Sequence, residues 1–91
     1  MLFEWDERKN AANKAKHEID FKEAKLIFEG PVVTWSDVPT DYGEIREVSI
    51  GLIRSVVAVT VIHTDRNGVT RIISARLENR REKDIYLDHY R

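Results

Sequence analysis

The residues best suited to chemistry are the basic side chains in the last quarter of the chain. Residues 66–91 carry seven lysines and arginines against four acidic residues, whereas residues 31–65 carry two against five. The planar fork of an arginine grips two phosphate oxygens at once, so Arg71 and Arg76, which bound the run RIISAR, are candidates for binding an anion. A solvated helix face would explain the same mild excess equally well.

The three histidines are the natural candidates for proton transfer, because imidazole titrates near neutral pH. His17, His63 and His89 show no spacing such as HExxH, and the carboxylates are scattered along the chain. We therefore expect no metal site and no other cofactor. The chain contains no cysteine, which rules out disulfides, thiol nucleophiles and Cys-ligated zinc.

Length and composition predict one soluble domain covering residues 1–91. Hydrophobic residues make up 42% and charged residues 34% of the chain, and no apolar run approaches the ~18 residues of a membrane span. The N-terminal segment MLFEWDERKN does not have the pattern of a signal peptide, so a cytoplasmic protein without membrane contact is expected. The net charge of −1 argues against a nonspecific nucleic-acid coat.

Two helices are predicted in the first third of the chain. Asp6 is a suitable N-cap for the first, which runs to about His17. Its only interior apolar residues are expected to be Ala11, Ala12 and Ala15. One face is basic and polar, and it carries Lys9, Asn13 and Lys16. Asp20 and Glu23 form a capping-box-like start for the second helix, which ends at Gly30-Pro31.

The rest of the chain predicts an antiparallel sheet of about four strands and one C-terminal helix, hence an α+β fold. The strands are predicted at residues 32–35, 44–52, 55–64 and 69–77, with the longest loop at 36–43. Residues 2–5 alternate weakly and could form a further short strand. Asn67-Gly68 indicates a tight hairpin, and the pair Asn79 and Glu82 indicates a capping box that begins a helix to Tyr90.

The hairpin predicts a register that separates the two arginines of the RIISAR run. Pairing Arg66 with Val69, and continuing without interruption, sets Val59 opposite Arg76. Arg71 and Arg76 then lie on opposite faces of the sheet. They could line one cleft only if Arg76 lay at the strand end or if a β-bulge redirected it.

The chain resembles the BrnT family over essentially its whole length. The first matching residues are Phe3-Glu4-Trp5-Asp6, Lys9, Asn13, Lys16-His17, Phe21-Lys22-Glu23-Ala24, Phe28 and Gly30-Pro31. The others are Gly43-Glu44, Arg46, Ile50-Gly51, His63-Thr64-Asp65-Arg66, the run from Arg71 to Arg76, Arg80, Arg81, Glu82 and Tyr86. The chain departs from the family pattern at Glu18, where glycine is usual, and at Leu77-Glu78, which replaces a more basic stretch.

This resemblance implies a RelE-like fold and a cytoplasmic ribonuclease toxin of a type II toxin–antitoxin pair. It further implies a BrnA-like antitoxin partner, in an assembly of two toxins with two antitoxins. The antitoxin would supply any DNA binding. The alternative function is a non-catalytic module that binds an antitoxin-like partner. Direct DNA binding is less favoured, because the sequence contains no helix-turn-helix pattern with a basic recognition helix.

Metal-free RNA cleavage proceeds by attack of a 2′-hydroxyl on the adjacent phosphate, which requires proton transfers and cations that stabilise the phosphorane. With the resemblance, the predicted catalytic residues are Arg76, Arg80, Lys16 and His17. The predicted RNA-binding residues are Arg71, Arg66, Lys9 and Arg81.

Structural roles compete with several of these assignments. Arg76 could instead form an ion pair with Glu78 or Glu82, and Arg71 could pair with a cross-strand acid such as Glu47. Lys16 and His17 suit the C-terminal end of a helix dipole. His63 is expected to be a buried structural histidine beside Ile72. The tryptophans and phenylalanines are expected in the core rather than stacked on bases; they are Trp5, Trp35, Phe3, Phe21 and Phe28.

Overall fold

A computed structural model describes residues 1–36 and 45–90 as a twisted sheet with helices on both faces. The strands are β1 (Leu2–Trp5), β2 (Val33–Ser36), β3 (Glu47–Ile53), β4 (Val57–Arg66) and β5 (Val69–Leu77), in the order β1-β5-β4-β3-β2. β1 runs parallel to β5, and the other neighbours are antiparallel. The α+β class is confirmed, but the prediction of a four-stranded antiparallel sheet is corrected to five strands in a mixed sheet.

The helices are α1 (Glu7–His17), α2 (Phe21–Ala24) and α3 (Arg80–His89), with a 3-10 segment at Lys25–Glu29 after α2. The second N-terminal helix is thus shorter than predicted. The Asp20 carboxylate accepts from the Lys22 N–H, so it caps α2 without the expected partnership with Glu23. The predicted long loop at 36–43 lies, beyond Ser36, outside the described residues.

The main hydrophobic cluster lies on one side of the sheet, which we call the core face; it carries Val59, Val61, His63 and Ile72. The segment from Ile19 to the 3-10 helix covers this face, and Phe21, Ala24 and Ile27 are fully buried there. Gly51 allows the close approach of this segment, because a Cβ at that position would lie 2.8 Å from Cβ of Ile27.

The buried side of α1 is polar, which corrects the expectation that its alanines face the interior. Asn10 and Asn13 are its buried residues, whereas Ala11, Ala12 and Ala15 are exposed. Lys9 and Lys16 are exposed as well. The predicted stripe of Lys9, Asn13 and Lys16 is therefore interrupted, because its middle member points into the protein.

Asn13 substitutes for a neighbouring strand at the outer edge of β5. β1 ends opposite Ile72, so the following residues of β5 have no partner strand on that side. The Asn13 side chain donates to the Ala75 carbonyl at 2.8 Å and accepts from the Ala75 N–H at 3.1 Å. It also donates to the Ile19 carbonyl at 3.1 Å. The amide thereby satisfies backbone groups that a longer β1 would have bonded.

The turns show where positive φ is required. Asn67 and Gly68 have φ of 54° and 83°, which confirms the predicted hairpin. Glu18, where the resemblance leads us to expect glycine, ends α1 in the left-handed region at φ 61°. In residues 1–36 and 45–90, no helix has the length and apolar character needed to span a membrane.

Candidate functional site

A β-bulge brings Arg71 and Arg76 onto the same side of the sheet. The predicted pairings of Arg66 with Val69 and of Thr64 with Arg71 are present. A register shift then follows, and Arg76 pairs with Thr60 instead of the predicted Val59. Because directly paired residues share a face, and Thr60 and Thr64 are four residues apart, both arginines lie opposite the core face. We call this side the open face.

Arg76 is bound by Glu82 from the first turn of α3. Its two terminal nitrogens lie 2.7 Å from the two carboxylate oxygens, which is a bidentate pair. The same carboxylate accepts from the Thr60 hydroxyl and from the Asn79 N–H, each at 2.9 Å. The Glu82 side chain is only 8% exposed, whereas that of Arg76 is 32% exposed. The ion pair between Arg76 and Glu82, which the sequence left open as an alternative role for Arg76, is therefore formed.

Both members of this pair are charged at neutral pH. Burial raises the pKa of Glu82, but the hydrogen bonds from Arg76, the Asn79 N–H and Thr60 outweigh burial and leave this pKa below its ordinary value. The hydrogen bond to Glu82 raises the pKa of Arg76 above that of a free arginine. The site thus holds a fixed guanidinium whose nitrogens can still donate outward, since its five N–H groups exceed the three that Glu82 and the Leu77 carbonyl use.

Arg71 has a weaker and more exposed partner than Arg76. Its guanidinium lies 3.7 Å from the Glu4 carboxylate on β1, with side-chain exposures of 25% and 42%. The alternative of a cross-strand acidic partner is therefore present, but the acid is Glu4 and not Glu47, because β1 lies beside β5 and places Glu4 directly opposite Arg71. Exposed pairs of this kind contribute little stability, so Arg71 can exchange Glu4 for another anion.

The start of α3 places further cations beside the open face. Asn79 and Glu82 form the predicted capping box, and Arg80 and Arg81 are the exposed residues between them. A cleft of about 580 Å³ opens between α3 and β2. Its walls are Val33, Trp35, Asn79, Arg81, Glu82 and Ile85. Trp35 was expected in the core, but it lines this cleft instead.

The other predicted site residues are dispersed. Lys9, Lys16 and His17 belong to α1, at the outer edge of β5, and Arg66 is exposed at the end of β4. Within the described parts of the chain, no side-chain hydrogen bond or ion pair joins Lys16 or His17 to Arg76. The same segments contain no cluster of three potential metal ligands among histidine, aspartate and glutamate.

His63 lies inside the protein beside Ile72, as predicted. Its Nε2 lies 2.7 Å from the Ser49 hydroxyl, which in turn lies 2.7 Å from the Thr34 hydroxyl. The ring packs edge-on against Phe28 with centroids 5.2 Å apart. Nδ1 is buried and, among the described residues, has no hydrogen-bond partner. Burial lowers the pKa of His63, although Glu47 and Asp65 oppose this shift.

This environment predicts that acid destabilises the protein through His63. The unfolded chain takes up a proton near the ordinary histidine pKa, and the folded protein does so only at lower pH. Stability from this group is therefore complete above about pH 6.5 and decreases as the pH falls towards the folded pKa. Urea unfolding at intervals from pH 7.5 to 5 should show this loss in the wild type and a smaller one in His63→Gln. His17→Gln serves as the matched control, and an identical slope for all three proteins would contradict the prediction.

Two members of the site were not identified as such from the sequence. Thr60 supports the Glu82 carboxylate, and Trp35 forms one wall of the cleft. The alternation of β4 does place Thr60 on the face opposite Val59 and Val61. No local signal, however, indicates that α3 folds back over this face.

Comparisons with known proteins match most of the chain to one family. A family profile described as "Ribonuclease toxin, BrnT, of type II toxin-antitoxin system" matches residues 5–82. The fold is similar to the crystal structure of the Brucella abortus ribonuclease toxin BrnT, with a TM-score of 0.64 and 25% sequence identity. That match covers 88% of this chain and 100% of the Brucella chain. Among curated proteins, no relative matches.

Proposed function

This chain belongs to the BrnT family of ribonuclease toxins of type II toxin–antitoxin systems, and we propose that it cleaves RNA at the open face without a metal ion. The observation that supports this location is the β-bulge, because it aligns Arg71 and Arg76 on one face beside the arginines at the start of α3. A row of guanidinium groups of this kind binds a phosphate backbone by charge-assisted hydrogen bonds.

The proposed reaction is attack of a ribose 2′-hydroxyl on its own 3′-phosphate. The 2′-oxygen forms a bond to phosphorus, the bond to the 5′-oxygen breaks, and a 2′,3′-cyclic phosphate remains. Arg76, assisted by Arg80, stabilises the charge that develops on the phosphorane oxygens. Arg66, Arg71, Lys9 and Arg81 bind the flanking backbone.

The proton transfers are assigned to the end of α1. Asn13 bonds to Ala75, the residue before Arg76, and His17 follows Asn13 by one helical turn. β1 ends opposite Ile72, and Asn13 of the following helix α1 contacts Ala75. α1 therefore runs alongside β5 towards the end of the strand that carries Arg76. We assign His17 and Lys16 to accept the hydroxyl proton and to protonate the leaving oxygen.

The partner proposed for this toxin is a BrnA-like antitoxin. Membership of a type II family implies an antitoxin and an RNA target. We propose an assembly of two toxins with two antitoxins, in which DNA is bound only through the antitoxin.

The test is cleavage of a defined RNA by the purified protein in excess EDTA. The expected products are fragments with a 2′,3′-cyclic phosphate and a 5′-hydroxyl, and a 2′-O-methyl substitution at the cleavage position should block the reaction. Loss of cleavage in EDTA that added Mg²⁺ restores, or products with a 3′-hydroxyl, would contradict the proposal. Expression without an antitoxin should also arrest growth.

One observation supports the alternative of a non-catalytic binding module. Glu82 holds the Arg76 fork in a bidentate pair, so a phosphate must either share this guanidinium or displace Glu82. A protein that forms a complex with its antitoxin but leaves the RNA intact would fit this second function.

A further inference from the structure

We propose that the cleft between β2 and α3 binds one unstacked base of the RNA, with the Trp35 ring as its stacking surface. The inference rests on the proposed function for the identity of the ligand as RNA. It adds a base-binding subsite beside the phosphate-binding arginines.

The cleft has the size and the walls of a site for a flat ring. Its volume of about 580 Å³ lies within the range of ~300–1,000 Å³ of small-ligand pockets. Trp35 and Val33 form the wall on β2, and Ile85 contributes an apolar surface from α3. A base between these walls would be desolvated on both of its faces.

The two tryptophans of the chain have different environments. Trp5 belongs to the core, where its ring packs edge-on against Phe21 with centroids 6.1 Å apart and its indole N–H donates to Glu7 at 2.6 Å. Trp35 lies outside the core cluster and remains partly exposed at the cleft. A partly exposed indole beside unpaired cationic residues is typical of a platform on which bases stack.

Polar groups for the edge and the phosphate of a nucleotide surround the same cleft. Within the described residues, Arg81 forms no ion pair, so its charge is available to a backbone phosphate or to a base edge. Asn79 uses its side-chain oxygen to cap α3, which leaves its amide N–H groups as donors. Among the described residues, one oxygen of Glu82 receives a single hydrogen bond, from Arg76, and it can accept one more from an N–H of a base.

Glu82 connects this cleft to the proposed phosphate site. Its carboxylate lines the cleft and holds the Arg76 guanidinium at 2.7 Å. A base in the cleft would therefore lie next to a phosphate bound at Arg76, as the base and phosphate of neighbouring nucleotides do. The subsite would position the RNA strand rather than take part in bond cleavage.

The experiment measures binding of fluorescein-labelled 2′-O-methyl RNA tetramers, which lack the attacking hydroxyl. In a Trp5→Phe protein, Trp35 is the sole tryptophan, and saturation with the tetramer should quench its fluorescence. By anisotropy, Trp35→Leu should weaken binding about tenfold or more, in line with the loss of one stacked base. Arg81→Gln should weaken binding and reduce its dependence on salt.

Leu87→Ala is the matched control, because Leu87 is exposed on α3 and does not line the cleft. Its affinity should equal that of the wild type. Binding by Trp35→Leu within twofold of the wild type, or an unquenched Trp35 at saturation, would overturn the inference. Quenching of Trp35 by a purified antitoxin but not by the tetramers would also overturn it.

The two proposals fail in different ways. If the wild type cleaves RNA in EDTA and Trp35→Leu cleaves it with unchanged KM, the base subsite is wrong and the ribonuclease proposal stands. If the tetramers bind through Trp35 but no RNA is cleaved, the subsite stands and the catalytic proposal fails. For a positioning residue, we expect Trp35→Leu to raise KM more than it lowers kcat.

Discussion

Replacing Arg76 with alanine should lower the rate of RNA cleavage by at least ~100-fold and destabilise the fold by about 1–3 kcal/mol. The kinetic effect follows from loss of the guanidinium that we assign to the phosphorane. The effect on stability follows because Glu82, 8% exposed at its side chain, keeps its charge without a cationic partner. The lower end of the range reflects the partial exposure of Arg76, which lets water replace some of the lost interaction.

Glu82→Gln separates the catalytic role of Arg76 from its structural role. Glutamine retains an acceptor for Thr60 and the Asn79 N–H, but it no longer holds both nitrogens of the guanidinium by charge. Both variants should unfold at lower urea concentrations than the wild type. If Arg76 binds the scissile phosphate, cleavage per folded molecule should remain within about tenfold of the wild type in Glu82→Gln and be lost only in Arg76→Ala.

Rates should be compared at a temperature at which circular dichroism shows all the proteins folded. Arg76→Lys adds a second comparison, because lysine keeps the charge and loses the bidentate geometry. Wild-type cleavage by folded Arg76→Ala would remove Arg76 from the catalytic assignment. Equal losses in Arg76→Ala and Glu82→Gln would mean that the ion pair acts only by supporting α3.

The features predicted correctly from the sequence are those that a few neighbouring residues determine. Asn67-Gly68 adopts two positive φ angles because those residue types accept them at little energetic cost, and this fixes the hairpin. Asn79 and Glu82 satisfy each other's backbone N–H groups, so the start of α3 follows from their spacing. Both signals act within four residues and need no knowledge of the rest of the fold.

The β-bulge could not be predicted, and it changed the composition of the site most. Ile73, which is left without a partner on β4, is a β-branched residue like the preceding Ile72. No glycine or proline marks the position. The shift becomes favourable only through contacts with other elements, such as that of Arg76 with Glu82 of α3 on one face and that of Ala75 with Asn13 of α1 at the strand edge.

The pairing of β1 and the polar side of α1 were also beyond the reach of sequence patterns. A parallel partner for β5 leaves no turn signal in the sequence, because the paired residues Leu2 and Val69 are 67 positions apart in the chain. Apolar periodicity predicts which side of a helix is buried only when that side contacts apolar groups. α1 instead covers an open strand edge, where amide side chains fit better than alanines.

Asn13→Ala should therefore be the most destabilising single substitution in α1, by about 3 kcal/mol, with a decrease in Tm of roughly 10–20 °C. The substitution leaves the Ala75 N–H and the carbonyls of Ala75 and Ile19 without a partner in a site where Asn13 is 8% exposed. The measurement is urea and thermal unfolding followed by circular dichroism. An m-value equal to that of the wild type would show that the variant exposes the same amount of surface on unfolding.

Lys9→Ala, on the exposed side of the same helix, is the matched control and should change stability by less than about 0.5 kcal/mol. Asn13→Asp is a more specific test, because aspartate has the shape of asparagine and can still accept from the Ala75 N–H. Its carboxylate, however, would repel the carbonyl oxygens of Ala75 and Ile19 to which the asparagine amide donates. It should be at least as destabilising as alanine at pH 7 and should recover stability as the pH falls and the carboxyl group gains a proton. If both Asn13 variants lose less than about 1 kcal/mol in free energy of unfolding, water bonds to the edge of β5 as well as the amide does. In that case α1 is held in place by the hydrogen bond of Asn10 and by the packing of Ile19 instead.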